Sequence, residues 1–253
     1  MIQELCVVLG HRPAGENIFT LGFTSPAIAR MTRAGQFLNI KVGGGADPLL
    51  RRPFSVYHTD GAVVEIVFNV IGRGTAALCR KQPGETIDVL GPLGVPFGIE
   101  TPDFETGVLV AGGLGVAPMP LATRALRASG KQVVTFLGAH NAGSIVAAHL
   151  LNVRLSTDDG SSGFHGTVVD LARQSLARRE FRRPKIFACG PTAMLRAVAR
   201  LAEELEIACE VSLEGPMACG FGICQGCPVE LAGGGYALMC KDGPVFDIRR
   251  IIL

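Results

Sequence analysis

Tryptophan is absent from these 253 residues and tyrosine occurs only twice, so aromatic bulk rests on 13 phenylalanines. Charge is scarce too: charged residues make up 18% against 48% hydrophobic. That balance excludes an extended disordered chain and is ample for a sizeable core. The net charge of +2 is too small to point to nucleic acid. No apolar run is long enough to span a bilayer. The longest, "GVLVAGGLGVAPMPLA" at 107–122, is short and interrupted by glycine and proline. The opening "MIQELCVVLG" lacks a basic start and a cleavage site, and Glu4 interrupts it, so no secretory signal is expected. Repeats and low-complexity segments are missing. The 5 histidines show no ligand spacing, which leaves His58 and His165 incidental. No Ser–His–Asp set or carboxylate pair is present, and no catalytic side chain is assigned. The expected setting is cytoplasmic, where thiols stay reduced and clustered cysteines point to metal before disulfides.

What is present in excess is glycine, at 33 residues, and a skewed set of 8 cysteines. Half of them fall in "MACGFGICQGCPVELAGGGYALMC", at Cys219, Cys224, Cys227 and Cys240. The spacing C-x4-C-x2-C with a remote fourth cysteine is the plant-type iron–sulfur order. A [2Fe–2S] rhomb needs two thiolates on each iron, and a loop supplying three of them must wrap closely. Gly220, Gly222 and Gly226 suit that wrapping. Zinc also takes four cysteines, but its ribbons usually show two C-x2-C knuckles rather than one. A two-residue hairpin turn at Gly233–Gly234 would set Leu231 opposite Tyr236 and Cys227 opposite Cys240, carrying the fourth thiol back to the third. Cys6, Cys79 and Cys209 read as core thiols.

The length suggests one large domain or two to three small ones. "IQELCVVLG", "NIFTLGFTS", "QFLNIKV", "PFSVYHT", "VVEIVFNVI" and "ETIDVLGP" read as short strands of a small barrel, with a helix starting near Thr75. After the polar stretch "GIETPDFETG" at 98–107 the pattern changes to five strands alternating with helices. That alternation predicts a parallel, doubly wound sheet; an order of 3-2-1-4-5 would give it a switch-point crevice.

Three further segments carry ligand signals. In "RRPFS", Arg52 offers a bidentate phosphate donor, Phe54 a surface for a flat ring and Ser55 a hydroxyl for a ring nitrogen. The alternative is an ordinary strand entry with Pro53 on an edge. In "NVIGRGTAALC", which begins with Asn69 and Val70, Gly72, Gly74 and Thr75 stand at a helix N-terminus that attracts phosphate. "GPLG" at 91–94 closes this region with a tight turn. In "VLVAGGLGVAPM", Gly112, Gly113 and Gly115 follow the first nucleotide strand, although Pro118 takes the last glycine's place in the dinucleotide fingerprint. "FACGP" sets Cys189, Gly190 and Pro191 at a later strand end, across the switch-point crevice. Asp158 and Asp159 end a third strand, either to accept from ribose hydroxyls or as a solvated turn.

Taken together, "RPFS", "GGLGVAP" and "CGP" resemble the ferredoxin–NADP reductase superfamily. The tail "EGPMACGFGICQGCPVE…YALMCKDGPVFD" resembles, more particularly, the electron-transfer subunits of type B dihydroorotate dehydrogenases. The resemblance covers essentially the whole chain. It implies an antiparallel FAD-binding β-barrel over 1–100, an NAD-binding doubly wound α/β sheet over 101–213 and a small [2Fe–2S] module over 214–253. It also implies a partner: an FMN-containing catalytic subunit that oxidises dihydroorotate to orotate in pyrimidine biosynthesis, in a heterotetramer. By motif, Arg52, Pro53, Phe54 and Ser55 would hold the flavin, and Val70, Gly72, Gly74 and Thr75 its pyrophosphate. Gly113, Gly115, Cys189, Gly190 and Pro191 would line the nicotinamide path of NAD(H), and the four tail cysteines would ligate iron. "GAHNAG" lacks an arginine that relatives often carry, which leaves NAD against NADP open. Related subunits serve ferredoxin oxidoreductases, sulfide dehydrogenases and cytoplasmic hydrogenases, and a zinc-bearing binding module is the non-enzymatic alternative.

Overall fold

The computed structural model describes residues 1–43 and 48–253. Six antiparallel strands come first: β1 (Ile2–Gly15), β2 (Ile18–Thr24), β3 (Phe37–Lys41), β4 (Arg52–Asp60), β5 (Val63–Asn69) and β6 (Thr86–Leu93). They close into a barrel in the order β1-β2-β5-β4-β3-β6. Alternate positions point inward, and Leu21, Phe23, Leu38, Ile40, Val56, Ile66, Ile87 and Val89 fill the interior. Two helices ride on the barrel. The expected one is α2 (Arg73–Cys79). The other, α1 (Pro26–Met31), went unread because six residues carry too little periodicity. Its local signals are nonetheless sound: Ser25 caps it, accepting from the Ile28 N–H at 3.1 Å, and Pro26 occupies the first turn, where no N–H is needed.

The second layer is parallel. Strands β7 (Thr106–Gly112), β8 (Gln132–Ala139), β9 (Val153–Thr157), β10 (Phe164–His165), β11 (Pro184–Cys189) and β12 (Cys209–Ser212) alternate with helices α3 (Met119–Ala128), α4 (Val168–Ala177) and α5 (Thr192–Glu204). The tail adds a hairpin of β13 (Pro228–Glu230) and β14 (Tyr236–Leu238), then β15 (Val245–Asp247). The sheet order is β10-β9-β8-β7-β11-β12-β15. Its five central strands follow the order 3-2-1-4-5, which puts the switch point between β7 and β11. The edges were not foreseen. β10 is a two-residue strand, and β15 is a three-residue strand that pairs antiparallel with β12. Neither is long enough to show a period.

Two apolar cores result. Leu109 and Ala111 of β7 pack with α3 and the barrel interior, whereas Val108 and Val110 face the core shared by α4, α5 and the tail. The link between barrel and sheet is held by buried polar contacts. Lys185 bonds Glu210 at 2.8 Å and the Gly98 carbonyl at 3.0 Å, while the Gly98 N–H donates to the other Glu210 oxygen at 2.8 Å. Among the described residues, no helix is long and apolar enough to cross a membrane.

Candidate functional site

A cleft of about 360 Å³ opens at the seam of barrel and sheet. Its barrel wall is the start of β4, with Arg52, Pro53, Phe54 and Ser55, backed by Phe37, Val67 and Phe68. Asn69, Ile71 and Thr75 form one end. The sheet contributes Leu114 and Ala117 from the turn after β7, and the chain leaving β12 contributes Leu213, Glu214, Gly215 and Met217. Volume and apolar lining suit a small-molecule site.

The residues read from the sequence converge here to different degrees. Phe54 is mostly buried, its ring edge-on to Phe68 at 5.9 Å, so it offers the cleft a fixed wall. Arg52 bends back to its own chain, donating to the Leu50 carbonyl at 2.7 Å. Its Nε lies 3.3 Å from where a Cβ on Gly74 would stand, which brings the guanidinium onto the first turn of α2. Thr75 turns its hydroxyl inward, accepting from the N–H groups of Ile71 at 3.1 Å and Gly72 at 3.3 Å. Gly72 has open space around it. Val70 packs beside the barrel core rather than on the cleft, and its carbonyl accepts from Asn17 at 3.1 Å.

At the switch point, Cys189 pairs in register with Ala111. Gly115 is pressed against this strand end: a Cβ there would come within 2.1 Å of the Cys189 carbonyl oxygen, so only glycine fits. Gly190 is buried beside it, Gly113 borders open space, and Pro191 is exposed at the start of α5. Cys189 itself is fully buried and does not line the cleft. Burial first, and then the neighbouring Glu214 charge, push its thiol well above the usual range. Its Sγ lies 3.7 Å from a Glu214 carboxylate oxygen.

Glu214 is a residue the sequence reading passed over. Solvent reaches it through the cleft, yet the walls crowd its carboxyl and raise its pKa. The available signal was an acid directly after the last nucleotide strand, in "SLEG". Asp159 proves to be a turn residue, accepting from the Ser161 N–H at 2.9 Å, while Asp158 is exposed with His140 at 3.5 Å. His58 stacks on His149 at 3.9 Å, away from the cleft, and His165 lies on edge strand β10.

The cysteine loop continues from the cleft wall. Two contacts link its four cysteines. The Sγ atoms of Cys227 and Cys240 are 3.3 Å apart and buried, and the Cys224 N–H donates to the Cys219 Sγ at 3.5 Å. Burial works against ionising Cys219, but the N–H groups of Cys224, Phe221 and Ile223 outweigh it and hold the thiol down to about 6. In the other pair burial, then the adjoining Cys227, push Cys240 up to about 12. Among the described residues, no three Cys, His, Asp or Glu side chains converge as a site for one metal ion. The buried Cys227 and Cys240 sulfurs together and the amide N–H groups turned on Cys219 make a thiolate donor set that fits a two-iron rhomb.

The expected hairpin register needs correction. Val229 pairs with Ala237 and Glu230 with Tyr236, one residue out of the expected alignment. The reason is the turn: Leu231 donates to Gly235 at 3.0 Å, closing a three-residue loop with Gly234 and Gly235 at φ of 88° and 82°. Cys227 therefore faces Met239, whose N–H donates to the Cys227 carbonyl at 2.9 Å. Cys240 still reaches Cys227 because the chain turns after Leu238, with the Asp242 N–H bonded to the Leu238 carbonyl at 2.8 Å.

A closed barrel, a doubly wound sheet and a seam cleft define a flavoprotein reductase of the ferredoxin–NADP reductase type, here carrying a cysteine-rich tail. The comparisons agree. The family described as the iron-sulfur cluster binding domain of dihydroorotate dehydrogenase B matches residues 214–252. The electron transfer subunit of dihydroorotate dehydrogenase B (NAD(+)) from Bacillus caldolyticus is 36% identical over 260 residues, 99% of each chain. Its counterpart from Desulforamulus reducens is 34% identical over 255 residues, covering 97% of this chain and 96% of that one. A structure solved for NADH-dependent reduced ferredoxin-NADP oxidoreductase, in work on flavin-based electron bifurcation, superposes with a TM-score of 0.86 at 30% identity, covering 98% of this chain and 90% of that one. The chain belongs to the family of electron transfer subunits of dihydroorotate dehydrogenase B.

Proposed function

We propose that this chain carries electrons between NAD(H) and an FMN-containing catalytic subunit that converts dihydroorotate to orotate, the two acting together as a cytoplasmic heterotetramer. One observation carries the reading. A single cleft is bordered by the barrel's Arg52–Ser55 segment, by the turn after the first nucleotide strand, and by Glu214–Met217 leading into the cysteine loop. A shared border of these three segments supports the reading that the cofactors lie within reach of one another. When bound, FAD supplies exchange between a two-electron hydride and single electrons, and a [2Fe–2S] cluster supplies one-electron carriage.

The chain's own residues bind and orient. Phe54 and Ser55 hold the flavin ring edge, with Pro53 fixing the strand entry. Arg52 would hold the flavin phosphates together with the amides of Gly72, Gly74 and Thr75, while Val70 packs against the barrel core behind them. Gly113 borders open space where the nicotinamide ring would approach, with Pro191 exposed nearby, while Gly115, Cys189 and Gly190 pack together behind that surface and hold its shape. Cys219, Cys224, Cys227 and Cys240 would hold the cluster's irons, the Cys227 and Cys240 sulfurs already lying together. The lowered Cys219 thiol is ready as a thiolate, and the raised Cys240 thiol gives up its proton on ligation.

The test is affinity capture of the tagged chain from native cells under anaerobic conditions. Co-elution of an FMN protein together with dihydroorotate-dependent NAD+ reduction is expected. A complex that reduces ferredoxin or oxidises sulfide but ignores dihydroorotate would contradict the assignment.

A further inference from the structure

Asn39, in the middle of β3, is fully buried, and its amide points away from the barrel interior into the cysteine loop. Its Nδ2 donates to the Cys219 carbonyl at 2.9 Å and lies 3.5 Å from that of Ala218. Gly220, at a φ of 84°, presses so closely on the amide that a Cβ would stand 2.6 Å from Nδ2. The strand beneath is braced. Arg51 donates to the Asn39 carbonyl at 3.2 Å and the Asp88 carbonyl at 2.9 Å, and pairs with the Asp88 carboxylate at 2.7 Å.

The same short strand touches the cleft. Pro53, the register partner of Asn39, lines it, and so does Phe37, two residues earlier on the same face. Two residues of strand span about 7 Å, so one stiff element connects cleft wall and cysteine loop. The chemistry of the contact is directional. The loop turns N–H groups toward the Cys219 sulfur, which leaves the carbonyls of Ala218 and Cys219 against the barrel. Carbonyls buried there need donors, and Asn39 provides them. Its Oδ1 is left buried and unpartnered, a cost that the donor side of the amide offsets.

We infer that Asn39 is a positioning residue for electron transfer: its amide seats the Cys219 arm of the cluster loop at a fixed offset from the flavin cleft. This rests on the reading above that the cleft holds FAD and the four cysteines hold a [2Fe–2S] cluster. A leucine of similar size offers no donor, so the loop would shift. A histidine places an N–H at similar reach from Cβ and would keep the tie.

The experiment compares holoprotein with Asn39→Leu and Asn39→His. It measures flavin and iron content, the EPR signal of the dithionite-reduced cluster, and stopped-flow reduction by NADH. NADH leaves as NAD+ after giving two electrons as hydride to FAD, and one of these passes on to the cluster. Asn39→Leu is expected to bleach flavin within about twofold of the parent rate. Its cluster reduction slows by about tenfold or more, with shifted EPR g values, because misplacement of redox partners is costly. Asn39→His restores both. Parent-like cluster reduction and an unchanged EPR signal in Asn39→Leu would overturn the inference, as would an Asn39→His variant equally slow. Iron lost from Asn39→Leu alone would make the amide a retention device and overturn it too. Parent protein without iron would bring down the underlying cluster reading instead, a result distinct from any of these.

Discussion

At the residue scale, Glu214 shows how a cleft tunes a side chain without burying it completely. Its carboxyl pKa is raised by the surrounding walls, so the folded state holds its proton above the ordinary carboxylate range of about 4.5. Between that value and the raised one, the folded chain binds more protons than the unfolded chain. Stability contributed by the neutral carboxyl is therefore full below about pH 4.5 and lost as pH rises through the folded value. Glu214→Gln removes this dependence. Thermal melts of the two proteins across pH should show the variant gaining on the parent as pH rises above about 4.5, by a modest amount because solvent reaches the group. A constant offset at every pH would contradict the raised pKa. The four cysteines, Arg52 and Ser55 stood out in the sequence because their spacing or neighbours follow a chemical pattern, and the structure puts Arg52 and Ser55 on the cleft. Glu214 and Asn39 were not, because each acquires its role from a partner distant in sequence: Cys189 for one, the Cys219 carbonyl for the other.

At the element scale, long strands with buried runs were legible, and with them the barrel and the doubly wound sheet. Elements of two or three residues, such as β10 and β15, were not, since no periodicity survives at that length. The hairpin register slipped by one because a run of three glycines admits more than one turn, and only the packed structure selects among them. The link between barrel and sheet depends on a buried ion pair that has no local signature. Lys185 is 8% exposed and Glu210 18%, and both bind the backbone of Gly98. Lys185→Met would leave Glu210 buried without its cation, lowering stability by about 3 kcal/mol or more in urea unfolding. A loss below about 1 kcal/mol would mean the pair is no more than a surface bridge.

At the scale of the whole molecule, the cleft and the cysteine loop are separate but adjacent parts of the structure. The cleft is assembled mostly by barrel and sheet, whereas the thiols sit in the tail, which among the described residues meets the cleft through Leu213, Glu214, Gly215, Met217 and Pro244. Cys224→Ser is therefore expected to abolish the cluster while keeping full FAD content and NADH–dye reduction. Flavin lost together with iron would show that the two sites fold as one. What composition could say about this scale was limited to the presence of a core and of metal-binding thiols. The meeting of the three regions on one cavity belongs to the tertiary structure.

The most direct measurement of the relay is EPR of the anaerobically purified chain during titration with NADH. The account predicts a reduced [2Fe–2S] signal that grows with added NADH and fails to appear in protein stripped of FAD. A cluster that dithionite reduces but NADH leaves silent, with FAD in place, would contradict it.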